Sequence, residues 1–269
     1  MIHVDKNLNE IPDSLKTDAQ SIGHNPARTT NERRTEIIQQ GAYPPSGISS
    51  NYDRRYKLYD IKTSLKTIYN SKCAYCETSL EQLHVEHYRP KRGGYYWLAY
   101  SWDNLLLSCP TCNGKKGDNF PIAASSKVVY DEDRDTLDRI NTLSALYDNL
   151  EKPMLINPET ASEQLLKTAN FDKKGLMFSD DPSMNATIKT CGLDRDALNE
   201  RRKKIWDDLK KELNAAILDS RGDRNRMKTA IRTVLNGYKM RMNDPKEEYI
   251  AYRRFLLNSG QLTASSLLE

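Results

Sequence analysis

The sequence predicts an α+β protein, mostly helical, in which a small cysteine-pinned core is embedded in a larger helical domain. Three observations predict it. Four of the five cysteines form two tight pairs, Cys73-Ala74-Tyr75-Cys76 and Cys109-Pro110-Thr111-Cys112, with 32 residues between them. Inside that interval, Leu83-His84-Val85-Glu86-His87-Tyr88 alternates as a short strand and ends at Arg89-Pro90. On both sides, apolar residues recur at helical spacing.

In chain order, Asn25-Pro26 offers a helix start and Gly41 a stop, which predicts a helix reaching Gln40. Residues 41–51 (GAYPPSGISSN) read as a loop. Leu58, Ile61, Leu65 and Ile68 predict a helix over 53–70 that leads into the first cysteine pair. Residues 95–108 are aromatic and apolar, and are expected to pack the small core. Residues 122–185 are mixed and acidic, with Asn157-Pro158 and Asp181-Pro182 as turn signals. Further on, Leu198, Ile205, Leu209, Leu213 and Ile217 share one helical face. Met227, Ala230, Ile231, Val234, Leu235 and Tyr238 form a second stripe, and a last helix carries Ile250, Tyr252 and Phe255. The chain accordingly divides into an N-terminal segment (1–52), a core around the cysteines (53–121), an acidic middle (122–193) and a basic helical region (194–269).

Composition narrows the class. With 38% hydrophobic and 29% charged residues, the 269-residue chain is too apolar to be disordered and long enough to bury a core. Its longest apolar run is the six residues 95–100, against the ~20 that a membrane helix needs. The first twenty residues lack a basic-then-apolar order, so no secretory signal is expected. A cytoplasmic protein without membrane contact is the expectation. The net charge of +4 conceals a distribution: +4 over residues 1–130, −7 over 131–200 and +7 over 201–269. Basic blocks of this kind suit a polyanion, or simply solvate helix faces.

The cysteines say more. In a chain with no expected export, two C-x2-C pairs read as a tetrahedral zinc site rather than disulfides. A two-residue spacer lets both thiolates reach one ion, and the second pair completes four soft ligands, so Cys73, Cys76, Cys109 and Cys112 are expected to hold structural Zn²⁺. Such a site has no open position for chemistry. Cys191 is expected in the core.

Chemistry is expected beside the zinc. Glu86-His87 sits at a strand end, Asn104 follows in Trp102-Asp103-Asn104-Leu105, and Asn113 directly follows the last cysteine. Carboxylate and amide oxygens suit a hard cation, and an imidazole takes protons near neutral pH. Phosphodiester hydrolysis needs those two functions, a base for water and a cation for developing charge. His84 falls on the opposite strand face from His87, which suggests a packing or orienting role.

The order C-x2-C, carboxylate-His-x-x-Pro, Asn-Leu, C-x2-C-Asn, Lys resembles the zinc-containing HNH (ββα-metal) nucleases. The wording CAYCE, VEHYRPK and WDNLLLSCPTCNGKKGDNFP, then LINPET and TIKTCGLDRDALNERR, is similar to the HNH endonucleases of Septu anti-phage systems and retron-linked defence cassettes, the PtuB-like family. The resemblance implies a ββα-metal core and a metal-dependent endonuclease. It implies His87 as general base and Glu86 and Asn113 as ligands of a catalytic Mg²⁺ or Mn²⁺. Asn104 then orients the histidine loop. Glu86 stands where many HNH proteins have Asp, which keeps the ligand type and lengthens its reach. Arg89, Lys91, Arg92, Lys115 and Lys116 flank the motif as candidate phosphate contacts.

DNA is the expected substrate, with RNA left open, and the same resemblance implies an ABC/SMC-like (PtuA-like) ATPase as partner. The sequence itself carries no G-x-x-x-x-G-K-S/T phosphate loop, so ATP dependence is expected from that partner. The acidic middle and the C-terminal helices are the expected docking surface. Two other readings stay open: a non-catalytic zinc module that binds nucleic acid or scaffolds a complex, and a ribonuclease using the same site.

Overall fold

The structure is a computed structural model that describes residues 1–19, 29–43 and 55–259. Helix α1, Thr30–Gln40, opens on a capping box in which Thr29 and Glu32 accept each other's backbone N–H, and closes at Gly41 in the left-handed region (φ 66°). The expected stop is met, whereas Asn25-Pro26 lies outside the described residues and Thr29 does the capping. Residues 44–51 of the expected loop also lie outside them. Helix α2, Tyr59–Ile68, is shorter than its periodicity predicts, because residues 55–57 form a separate 3-10 turn and Leu58 is already extended. Its Ile61 and Leu65 are fully buried.

Strand β1, His84–His87, pairs antiparallel with β2, Leu105–Ser108, setting His84 opposite Ser108 and His87 opposite Leu105. Helix α3, Pro110–Lys116, follows β2 at once and completes a ββα unit. The Ala74 N–H donates to the Leu107 carbonyl at 2.8 Å, which stitches the first cysteine pair to β2. The loop between the strands fills the core with Tyr95, Trp97, Tyr100 and Trp102, all buried.

Beyond it come three single helical turns, α4 (Leu143–Leu146), α5 (Asp148–Glu151) and α6 (Glu163–Leu166). A two-residue hairpin follows, β3 (Asn170–Phe171) against β4 (Met177–Phe178). Asn157 makes the expected turn, its carbonyl accepting from Thr160 and Ala161. Asp181-Pro182 does not. It starts helix α7, Pro182–Cys191: the Asp181 carboxylate accepts the Met184 N–H at 2.9 Å, and Pro182 takes the first helical position, where no N–H is needed.

Helices α8 (Asp196–Asp219) and α9 (Arg224–Asn243) form an antiparallel hairpin, turned at Arg221 and Gly222, both at positive φ. Helix α10, Ile250–Asn258, closes the described chain. The buried face of α8 holds Leu198, Trp206, Leu209 and Leu213, and also Arg202, while Ile205 is only half-buried. On α9, Tyr238 alone is fully buried, because the outer part of a two-helix arm has one neighbour per helix. Among the described residues, no helix is long and apolar enough to cross a membrane.

Candidate active site and metal centre

The four predicted metal ligands converge. Sγ atoms of Cys73, Cys76, Cys109 and Cys112 all lie within 4.8 Å of one another, and all four residues are buried. The Cys76 and Cys109 sulfurs are 3.7 Å apart. A tetrahedral ion with Zn–S bonds of about 2.3 Å spaces its sulfurs by about 3.8 Å, so the cradle fits Zn²⁺. Local folding explains the fit. The Cys73 carbonyl accepts the Glu77 N–H, which curls the first knuckle, and Glu77 takes positive φ (61°). The second knuckle is the first turn of α3, with Cys109 as N-cap accepting the Cys112 N–H at 3.3 Å.

The C-terminal helices complete this centre, and Arg195 is a residue that sequence reasoning missed. Its guanidinium donates to the Cys112 sulfur at 3.5 Å and the Cys109 sulfur at 3.9 Å. Four thiolates around a dication carry excess negative charge, which a guanidinium offsets. Thr78, just past the first knuckle, shares a hydrogen bond of 2.9 Å with the Tyr249 hydroxyl. Nothing local marks Arg195, since it stands 83 residues beyond Cys112.

Next to the knuckles opens a cleft of roughly 480 Å³, lined among others by Glu86, His87, Lys91, Arg92, Asn113 and Asp118. His87 ends β1 with its ring buried against Tyr56, in an edge-on contact at 4.6 Å. Its Nε2 lies 3.0 Å from the Ala99 carbonyl, and its Nδ1 lies 3.3 Å from the Lys91 ammonium. A carbonyl can only accept, so Nε2 carries the hydrogen and the Nδ1 lone pair is left on the Lys91 side. Burial, followed by repulsion from Lys91, holds the imidazolium form well below its ordinary range. Burial likewise lowers the Lys91 ammonium to about 8.

Asn104 is fully buried behind this histidine. Its Oδ1 accepts the Arg89 N–H at 2.7 Å, and its Nδ2 donates to the carbonyls of Arg89 (3.0 Å) and Leu98 (3.3 Å). It therefore ties the chain after His87 to the turn that presents the Ala99 carbonyl.

Glu86 is also buried, and one of its carboxylate oxygens pairs with the Lys116 ammonium at 2.7 Å. Burial raises the Glu86 carboxyl, against the opposing pull of Lys116. Asn113 sits inside α3 rather than capping a helix, half-buried on the cleft wall. Glu86, Asn113 and Asp118 line this cleft, and carboxylate and amide oxygens are the donor type that a hard divalent cation takes.

Two of the expected phosphate contacts are corrected. Arg89 is fully buried and fully engaged, with Glu151 at 2.8 Å, Asp148 at 2.8 Å and the Ser144 hydroxyl at 2.8 Å. Lys116 is equally buried, holding Glu86 and donating to the His87 carbonyl at 2.8 Å. Neither presents charge at the surface. Lys115 is exposed but stands off the cleft, its side chain lying over Gly192. Lys91 and Arg92 do line the cleft, joined by Lys57 and Lys62 from the α2 region, which no local pattern announced. His84 is exposed and lines the same cleft, so the packing role expected for it is not seen.

A ββα unit closed on four cysteine sulfurs, with a histidine at the end of its first strand, is the architecture of an HNH-type domain. Residues 73–119 match the family model described as HNH endonuclease. The chain carries an HNH-type domain over these residues and is similar to PtuB-like proteins. It is 29% identical over 211 residues to Septu protein PtuB of Bacillus mycoides (strain KBAB4), covering 72% of this chain and 63% of that one. It is 48% identical over 61 residues to Septu protein PtuB of Bacillus thuringiensis, covering 21% of this chain and 23% of that one. The chain thus spans under two thirds of the length of either relative. No solved structure matches it significantly.

Proposed function

We propose that this protein is a metal-dependent endonuclease that hydrolyses phosphodiester bonds, with His87 as general base. One observation carries the reading: His87 is anchored through Nε2 on a backbone carbonyl, which leaves an unprotonated Nδ1 in a cation-lined cleft. A neutral imidazole there takes the proton of a water whose oxygen bonds to phosphorus, while the bond to the leaving oxygen breaks and that oxygen takes a proton from solvent. Glu86 and Asn113 would hold Mg²⁺ or Mn²⁺, which supplies charge stabilisation at the phosphate when bound. Lys57, Lys62, Lys91 and Arg92 suit a phosphate backbone on that wall. Asn104 acts through His87 and is a positioning residue.

DNA is the proposed substrate. An anti-phage defence complex with an ABC/SMC-like (PtuA-like) ATPase is the proposed setting, supported by the Septu name of both relatives and by the motif resemblance. The decisive experiment compares wild type with folded, zinc-loaded His87→Ala on duplex DNA, single-stranded DNA and RNA in Mg²⁺ or Mn²⁺. Nicking of DNA that disappears in the variant supports the reading. Undiminished nicking by the variant removes His87 as base, and cleavage confined to RNA makes the protein a ribonuclease.

A further inference from the structure

The two helices of the C-terminal arm are both partly solvated and unequally charged. Helix α8 carries six Lys or Arg and six Asp or Glu in 24 residues, whereas α9 carries six Lys or Arg and no acidic residue in 20. Solubility does not require this, since α8 is solvated at zero net charge. Four of the α9 cations, Arg224, Lys228, Arg232 and Lys239, are all exposed. At 100° per residue they share an arc of about 80° along about 22 Å of helix. Among the described residues none of the four has an ion-pair partner; the α9 pairs are Arg226 with Asp223 and Arg241 with Glu212, off this arc.

The rest of that face is chemically consistent. Asn225, Thr229 and Asn236 flank the cations on one side and are exposed, while Ile231, Val234 and Tyr238 pack inward on the other and the half-buried Leu235 packs at the base of the arc itself. One exposed large apolar side chain on α9, Met240, stands at the edge of this face, about 80° beyond Arg232 and outside the cation arc, so the arc itself lacks the apolar anchor around which protein interfaces are built. A line of guanidinium and ammonium groups beside amides and a hydroxyl is the set that contacts nucleic-acid phosphates.

We infer that this face of α9 is a second nucleic-acid surface, outside the cleft, that grips the phosphate backbone without reading sequence. The inference rests on the nuclease reading above and names a substrate contact for it. It is tested in the full chain, zinc-loaded, with His87→Ala as the non-cleaving parent. Arg224→Gln, Lys228→Gln, Arg232→Gln and Lys239→Gln are combined, and binding to a short fluorescent DNA duplex is titrated across salt concentrations. At low salt the variant is expected to bind at least about tenfold more weakly, with the slope of log affinity against log salt shallower by about 3 to 4. An unchanged urea midpoint then assigns the loss to contact rather than to folding. Unchanged affinity and slope overturn the inference, and so does variant binding that stays intact while capture of an acidic protein partner is lost. A parent that binds no nucleic acid overturns both this surface and the nuclease reading, whereas nicking by wild type with an unchanged slope overturns this surface alone.

Discussion

Lys116 holds Glu86 at 2.7 Å with both side chains buried, and the same ammonium donates to the His87 carbonyl. One lysine on α3 thus fixes two consecutive residues of β1, a carboxylate by charge and a histidine by its backbone. Removing one partner of such a pair leaves a buried charge uncompensated, at a cost of about 3–5 kcal/mol. Lys116→Met is expected to lose about that much in urea unfolding, and Glu86→Gln somewhat less, because the amide oxygen still accepts. The double variant is expected to be more stable than Lys116→Met alone. A Lys116→Met protein within about 1 kcal/mol of wild type would show that the pair is not held in solution.

Titration of His87 gives a signed expectation. Its folded-state value is depressed, mainly by burial, below the ordinary 6.5. Between 6.5 and that depressed value the unfolded chain binds a proton that the folded chain refuses. Stability therefore falls as pH falls through this window and is regained above it. His87→Phe removes the titrating group and is expected to flatten that part of the stability profile. In nicking assays, the acid limb of the wild-type rate should lie below pH 6.5 rather than at it. An acid limb centred at the ordinary value would contradict the burial.

Much of this site was legible in the sequence, for a physical reason. Metal ligands need short fixed spacings, so Cys73, Cys76, Cys109 and Cys112 announce themselves, and Glu86 and His87 are consecutive in the chain at a strand end. Side-chain burial has no such local code. Arg89 and Lys116 read as surface cations because lysine and arginine are mostly exposed. Both are instead neutralised by partners contributed elsewhere, Glu151 and Asp148 for Arg89 and Glu86 for Lys116. Asp181-Pro182 failed differently: the same dipeptide serves a turn or a helix start, and only the Met184 N–H decides between them. Helix periodicity located α8, but Arg202 replaces Ile205 on its buried face because the Gly175 and Leu193 carbonyls accept its guanidinium.

Arg195 ought to control how firmly the zinc site keeps its metal. Its donation to the Cys109 and Cys112 sulfurs is the kind of outer contact whose loss typically costs about 10–100-fold in metal affinity. Arg195→Leu is expected to release zinc to a chromogenic chelator faster than wild type, with Arg195→Lys in between. Equal release rates in all three proteins would reduce Arg195 to a packing residue. Chelation of the metal from wild type should unfold the ββα unit, seen as a loss of near-ultraviolet circular dichroism from Trp97 and Trp102, which are buried in the adjoining core.

Arg89 separates a structural arginine from a binding one. A phosphate-contacting arginine can be removed with the fold intact and nucleic-acid affinity reduced. Arg89 is fully buried, its guanidinium shared among Glu151, Asp148 and Ser144 and flanked by the rings of Tyr88, Phe120 and Tyr147. Arg89→Ala would strand the buried Glu151 carboxylate, which among the described residues keeps the Tyr95 hydroxyl and the Val128 N–H as donors. It would also open a cavity beside the loop that Asn104 ties down. The expected loss is about 3–5 kcal/mol of stability, enough to unfold much of a protein of ordinary stability. Arg89→Met combined with Glu151→Leu should recover part of it by replacing the pair with apolar volume. A stable Arg89→Ala protein with weakened DNA binding would return this residue to the nucleic-acid surface and contradict its place in the core.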